Sequence, residues 1–384
     1  MARHAEIAGA GFAGLAAATA LRQRGWSVRV HERNDALRAF GAGIFIWDNG
    51  LRVLQALGAY EAVLDGAFAA PGYDTRTNGE TLISQPINRP GCYRLLTMSR
   101  QHLYKAMLAA AERAGAEILT GSEAVGADPA GALLMADGRR LPADLVIGAD
   151  GVRSAVRDSL DLKVARHRYD DGIIRVLTSR ATLKGGVWDH VIDFWRTGDR
   201  LLRILYTPSG PDLLYMAMMA PAVDAEAAQV PVRPGPWIEA FPELEPVLTS
   251  LGDRGRYDVY ETSKLDRWSV GRVAIVGDSA HAMPPTLAQG AGCAISNALG
   301  LAVALEAGGT VEAALSAWEA RERPLTDHTQ RRAAEIAASR VLASGMAWDD
   351  DGLRAARHVP TGTGPFVATV AGHAVAEAVA AGDP

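Results

Sequence analysis

Residues 277–297, GDSAHAMPPTLAQGAGCAISN, hold few side chains that could do chemistry: Asp278, His281 and the pair Pro284–Pro285. The rest is glycine, alanine and apolar residues, running straight into an apolar helix pattern. A loop that only joins two elements needs no such composition. His281 could serve as a general base, but a histidine packed in a loop of this kind more often holds the loop together. Asp278 reads as a group that meets a ligand, or as a turn aspartate. What the stretch offers most plainly is backbone. The N–H groups at the start of the helix near Gly290, Ala291 and Gly292 can stabilise negative charge through the helix dipole.

A second cluster lies at the N-terminus. A short apolar strand precedes Gly9-Ala-Gly11-Phe12-Ala13-Gly14, and a helical run follows from Leu15 to about Arg24. Gly9 makes the tight turn, Gly11 lets the backbone approach a pyrophosphate, and Gly14 lets the helix pack against the strand. The helix N-terminus offers free N–H groups to that pyrophosphate. The strand SVRVHER then delivers Glu32, which can accept both ribose hydroxyls, and Arg33, placed to cover an adenine. An acid at 32 favours an unphosphorylated ribose, that of NAD or FAD, over NADP.

These groups need a scaffold. Two more apolar strands end in glycine-bearing turns, in ADLVIGADGVRS and GRVAIVGDSAH. Asp150-Gly151 makes the first of these turns, and Ser154 is a candidate cap for the helix after it. Three such strands spread along the chain imply one Rossmann-type domain in discontinuous pieces. Residues 165–265 alternate instead with a period of two, in GIIRVLTSR, DHVIDFW, RLLRILYT and LLYMAMMA. The fold class expected is therefore α/β, with a mainly antiparallel sheet domain inserted. The boundaries expected are 1–70, 96–164 and 266–345 for the dinucleotide domain, and 71–95 with 165–265 for the sheet domain. The segment 346–384, with DDDG and an alanine-rich run, is expected to be a solvated turn and a C-terminal helical tail.

In a hairpin turning near Ser209, Arg203 and Tyr215 can lie opposite each other. An arginine and a tyrosine among apolar neighbours suit an aromatic acid.

Composition narrows the function classes. A net charge of −5 leaves no basic footprint for nucleic acid. Cys92 and Cys293 stand far apart, and no Cys/His spacing suggests a metal. The start MARHAEIAGAGFAGLAAATA can imitate a signal peptide, but its glycine spacing supports the nucleotide reading. No long charge-free apolar run implies a membrane span, so a cytoplasmic protein is expected. Oligomeric state is left open, a homo-oligomer included.

GAGFAG, GADGVRS and GDSAHAMPPTLAQG, in this order, resemble the signature set of the class A flavoprotein monooxygenases, the aromatic-ring hydroxylase family, over residues 1 to about 340. Longer stretches (37–58, 203–222, 260–278 and 314–327) are similar to the branch that oxygenates and opens hydroxypyridine-carboxylate rings in vitamin B6 breakdown. The resemblance implies a fold like that of para-hydroxybenzoate hydroxylase, bound FAD, NADH as hydride donor, and O2. It implies a hydroxylated pyridine or aromatic carboxylic acid as substrate, oxygenated through a flavin C4a-hydroperoxide, and opening of the ring within that branch. It places Arg100 near the FAD phosphates, Asp150 in the second motif, and Asp278 by the ribityl and pyrophosphate. Gly43, Pro285, Gly290, Ala291 and Gly292 fall around the flavin ring. Arg203, Tyr215 and Tyr73 match substrate contacts, and Phe45 stands where a pocket tyrosine would align. Two further departures are Gly292 and Asn297, where many relatives carry Asn and Asp. The alternatives are a salicylate- or 6-hydroxynicotinate-type hydroxylase, an FAD oxidoreductase without oxygen insertion, and a dinucleotide-binding protein without catalysis.

Overall fold

Alanine is the reason two helices can close on one sheet. In the computed structural model, which describes residues 2–37, 41–180, 183–339, 349–364, 367–370 and 373–376, helix Phe12–Gln23 packs against helix Gly290–Glu306. Its Ala16, Ala17, Ala18 and Ala20 are fully buried. Beside them lies a six-stranded sheet in the order Ser269–Val270, Val273–Ile275, Leu145–Gly148, His4–Ala8, Ser27–His31, Glu117–Leu119. Strand His4–Ala8 pairs in parallel with both Leu145–Gly148 and Ser27–His31, and Leu145–Gly148 pairs in parallel with Val273–Ile275. The three glycine motifs therefore leave the same sheet edge side by side, where ligands bind in sheets of this kind.

Contact there is backbone on backbone. A Cβ on Gly14 would lie 2.0 Å from the Gly9 carbonyl oxygen. One on Gly9, whose φ is +97°, would lie 2.4 Å from the Ala149 oxygen. Ser154 Oγ accepts the Arg157 N–H at 2.9 Å, capping helix Ala155–Asp158.

A seven-stranded sheet forms the second layer. Its order is Tyr257–Leu265, Val164–Ser179, Leu213–Pro221, Leu202–Pro208, Val191–Arg196, Gly72–Thr77, Glu80–Pro86. All neighbours are antiparallel except Val191–Arg196 with Gly72–Thr77. Alternation divides its faces. Ile204, Tyr206, Met216 and Met218 pack with Trp237 and Phe241 on one side. Leu205, Tyr215 and Ala217 pack on the other with Phe45, Tyr73 and Leu287.

Two expectations need correction. The hairpin turns at Ser209, where the Ser209 N–H donates to the Leu213 oxygen at 2.8 Å, but Arg203 stands opposite Met219 and Tyr215 opposite Thr207. The loop sets the register, so Arg203 and Tyr215 share a face about 13 Å apart along the strands. The tail is not a helix where it is described. It forms turns over 350–357 and an antiparallel strand pair, Val367–Val370 with His373–Ala376. Pro360, Gly362 and Gly364 break a helical run, and β-branched residues in VATV favour extension. Residues 377–384 lie outside the described residues.

The contact at Gly14 predicts that Gly14→Val forces helix and strand apart and destabilises the protein by about 3 kcal/mol, an overpacking cost. Thermal unfolding measures it. An unchanged Tm would contradict the contact.

Candidate active site

Two connected spaces open between the layers. One, of about 480 Å3, is lined by Gly11, Phe12, Glu32, Arg100, Arg256 and Asp278 among others. The second, of about 380 Å3, is lined by Ala13, Gly43, Phe45, Tyr215, Pro285 and Ala291 among others. Gly11, Phe12, Arg100, Arg175, Asp258 and Asp278 line both, which makes them one trough.

Glu32 is held at one end. Its Oε2 accepts the Ala10 N–H at 3.2 Å and its Oε1 the Asn34 N–H at 3.0 Å. Arg33 lies instead in a separate crevice of about 80 Å3, with Gly9, Glu123, Asp150 and Arg153. Asp150 ties the second motif together and joins it to the third. Its Oδ2 accepts the Val156 N–H at 3.1 Å, and its Oδ1 accepts the Ser279 hydroxyl at 3.3 Å. Asp278 is exposed to the trough. Arg100 follows the cap Ser99 and lies 5.1 Å over the Phe12 ring, without an ion pair among the described residues. Burial pulls its pKa down and Arg175 pulls it further, while Asp278 opposes them.

The other end is walled by backbone. Gly290 and Ala291 open helix Gly290–Glu306 against the trough, and no side chain caps that N-terminus. Gly43 is required by packing, since a Cβ there would lie 2.2 Å from the Tyr215 ring. Gly292 is set against Asn49 rather than the trough. A Cβ at 292 would lie 3.2 Å from the Asn49 carboxamide, which donates to Gln289 Oε1 at 3.2 Å.

His281 is sealed away from the trough. Its Nε2 lies 3.1 Å from the Asn297 amide nitrogen, its Nδ1 has no hydrogen-bond partner among the described residues, and its ring lies 5.4 Å from Trp268. Burial lowers its pKa, while the charges of Asp278 and Asp327 oppose that shift. The structure therefore gives it a place in the packing, and none within reach of a substrate.

The four residues matched to substrate contacts divide. Phe45 and Tyr215 line the trough, with ring centroids 6.4 Å apart. Arg203 and Tyr73 turn to Asp193. Arg203 Nε and one terminal nitrogen bind the two carboxylate oxygens at 2.6 and 3.0 Å, and the Tyr73 hydroxyl donates to Oδ2 at 3.1 Å. All three are buried. The clamp expected of Arg203 for a substrate carboxylate already holds a carboxylate of the protein. Asp193 was missed by sequence reasoning, yet its signal is visible. In VIDFW it occupies a position whose period-two neighbours, Val191 and Trp195, are apolar and inward-facing. Also missed were Arg175, ion-paired to Asp258, and Tyr260 and Met219, all lining the trough. The hydroxyls of Tyr215 and Tyr260 have no hydrogen-bond partner among the described residues. Burial raises both pKa values, so both remain protonated donors.

The glycine turn, the held glutamate, the unpaired arginine and the uncapped helix N-terminus form one elongated trough. Residues of these kinds fit FAD, with anion donors at its middle and backbone donors at the ring end. A sheet-roofed trough of this build defines a flavin-dependent monooxygenase of class A. Residues 4–333 match the model of the FAD binding domain family, and the chain belongs to that family. A solved structure of the tetrameric form of 2-methyl-3-hydroxypyridine-5-carboxylic acid oxygenase is similar to it with a TM-score of 0.90 at 48% identity, over 94% of this chain and 97% of that one. A putative 2-heptyl-3-hydroxy-4(1H)-quinolone synthase of Rhodococcus erythropolis is 44% identical over 86% of each chain. A 3-amino-4-hydroxybenzoate 2-monooxygenase of Streptomyces cremeus is 30% identical over 88% of each. Among the described residues no helix is long and apolar enough to cross a membrane.

Two predictions follow from this geometry. A Cβ at Gly11 meets nothing within 4 Å. Gly11→Ala should therefore keep its unfolding temperature in the absence of flavin while binding FAD at least tenfold more weakly, as read by flavin retention on gel filtration. Equal retention would remove Gly11 from the cofactor path. For His281, the unfolded ring titrates near 6.5 and the folded one lower. Between these values the unfolded chain binds more protons, so stability falls as pH drops below 6.5. His281→Gln should flatten that acid limb in a series of Tm against pH, and an unaltered slope would contradict it.

Proposed function

We propose that this protein uses FAD, NADH and O2 to insert oxygen into a hydroxylated nitrogen heteroaromatic ring of the pyridine or quinolone type. The observation that carries the choice of ring is the Arg203–Asp193 pair. With Arg203 committed, the Tyr215–Tyr260 stretch of the trough presents apolar walls, two neutral donors and the Arg175–Asp258 pair, whose charges offset each other. That lining suits a flat, uncharged ring bearing an oxo or hydroxyl oxygen. At Arg203, a ring carboxylate would have to take the third nitrogen, which now lies 3.4 Å from Met219 Sδ. This second reading, with ring opening, is supported by the likeness to the pyridine oxygenase.

When bound, FAD accepts a hydride from NADH and delivers one atom of O2 to the ring, the other leaving as water. The protein positions and shields. Glu32 would hold the adenosine ribose, and Gly9, Gly11, Phe12, Ala13 and Gly14 the pyrophosphate. Arg100 would neutralise phosphate charge, and Asp278 would meet the ribityl chain. The N-terminus at Gly290 and Ala291 would stabilise negative charge on the flavin's pyrimidine side, with Pro285 and Gly43 walling the ring. Phe45 keeps that wall dry where a tyrosine would bring a hydroxyl. The setting we infer is cytoplasmic, and the tetrameric relative makes a homo-oligomer the state to test by light scattering.

The test is a substrate panel followed by NADH loss and product mass. Neutral 4-hydroxyquinolines and hydroxypyridines should stimulate NADH oxidation at least tenfold more than their carboxylated counterparts and gain one oxygen. A gain of two oxygens by a pyridine carboxylate would favour the ring-opening reading. A protein that purifies without flavin, and that no ring stimulates, would not be a monooxygenase of this kind. Asp193→Asn should shift preference toward carboxylates while destabilising the fold by about 3 kcal/mol, because it leaves a buried guanidinium without its counter-charge.

A further inference from the structure

Beyond the trough lies a second, smaller chamber of about 50 Å3, lined by Trp195, Leu201, Arg203, Met219, Ile336 and Ala337 among others. It lies between the sheet face that roofs the trough and helix Val311–Ser339. Met219 and Tyr260 line both spaces, so these two side chains are the partition. The chamber's lining is mostly apolar. Among its polar groups Arg203 is engaged by Asp193 and Thr286 by the Ala333 oxygen at 2.8 Å, while the Trp195 indole N–H and the Tyr260 hydroxyl have no hydrogen-bond partner among the described residues.

We propose that this chamber receives a short alkyl substituent of the substrate ring, and that Met219 sets how long the substituent can be. The proposal rests on the heteroaromatic reading above and adds the feature that would choose among such rings. A ring held between Tyr215 and Tyr260 has one edge toward the partition. A substituent on that edge passes Met219, whose unbranched thioether side chain yields more readily than a β-branched one. The volume bounds the length. At about a third of the ~150 Å3 that admits benzene, the chamber holds roughly two carbons without rearrangement. A carboxylate substituent would find Arg203 already paired to Asp193 and would pay much of its desolvation.

The experiment is a series of 4-hydroxyquinolines carrying hydrogen, methyl, ethyl, butyl or heptyl at position 2. Each is titrated into the flavin-loaded protein, with Kd read from the flavin spectrum and turnover from NADH loss. The expected profile tightens about fourfold per carbon through ethyl, as buried methylenes do, then weakens at butyl and heptyl. Met219→Ala should move the break to a longer chain. Ala337→Val, which adds the two carbons the chamber holds, should flatten the gain from hydrogen to ethyl. Flavin content of each variant reports that it has folded. A wild-type series that is flat while the unsubstituted ring binds would overturn the chamber alone. So would an Ala337→Val variant with the wild-type slope. A series in which no member perturbs the flavin or stimulates NADH loss would overturn the ring reading and the chamber with it.

Discussion

Three parallel strands end on one edge of the sheet, and the turns that leave them touch through their backbones. The Gly9 turn lies against Ala149, Gly14 lies against Gly9, and a Cβ on Gly277 would lie 2.8 Å from that of Ala13. No side chain can be inserted at these points without moving a strand. The rest of the trough follows from this closeness. Helix Phe12–Gln23 starts where its free N–H groups face the cleft, Ser279 reaches Asp150, and the loop before Gly290 is held at the far end. Local glycine chemistry and long-range topology act here at the same few atoms, which is why the three motifs are recognisable despite being more than a hundred residues apart.

The second governing constraint is electrostatic. The roof of the trough buries Arg203, Asp193 and Tyr73 together. An isolated buried guanidinium would be costly, and a bidentate carboxylate offsets much of that cost without making the pair strongly stabilising. What the pair provides is orientation. It turns Tyr73 and Arg203 toward Asp193 and leaves neither as a free charge in the trough. A cation without an ion pair among the described residues sits elsewhere, at Arg100, where the two parts of the trough meet and an anionic phosphate is expected. The other charges near Tyr215, Arg175 and Asp258, are paired with each other, so that part of the trough holds charge that is largely offset.

Much of this was legible in the sequence, for a physical reason. The turns at Gly9, Asp150 and Gly277 are local, and each encodes its own backbone path. Strand alternation in RLLRILYT and LLYMAMMA encodes which face a residue takes, so Arg203 and Tyr215 were correctly put on one face. Alternation does not encode register. That depends on the loop from Ser209 to Leu213, and a plausible hairpin placed two residues opposite that lie four apart. Nor does it encode partners. Asp193 comes from a neighbouring strand, ten residues before Arg203, and nothing in RLLRILYT announces it. The tail shows a third limit. Alanine favours helix weakly, and the interrupting glycines and prolines outweigh it.

The departure at Gly292 joins these threads. Where the family resemblance leads one to expect an asparagine, this chain has a glycine, and a Cβ there would lie 3.2 Å from the Asn49 carboxamide of another helix. Asn49 also binds the Ala356 oxygen through its own N–H, so the same residue ties the helix N-terminus to the segment beyond residue 349. At the other departure, Asn297 presents an amide to His281 where an acid would present a charge. An aspartate there would draw a proton onto the imidazole. The asparagine instead donates to it, and so keeps it neutral. Both substitutions act in one direction. They put neutral side chains, Asn49 and Asn297, behind the helix N-terminus at Gly290 and Ala291, so no charge there opposes its dipole.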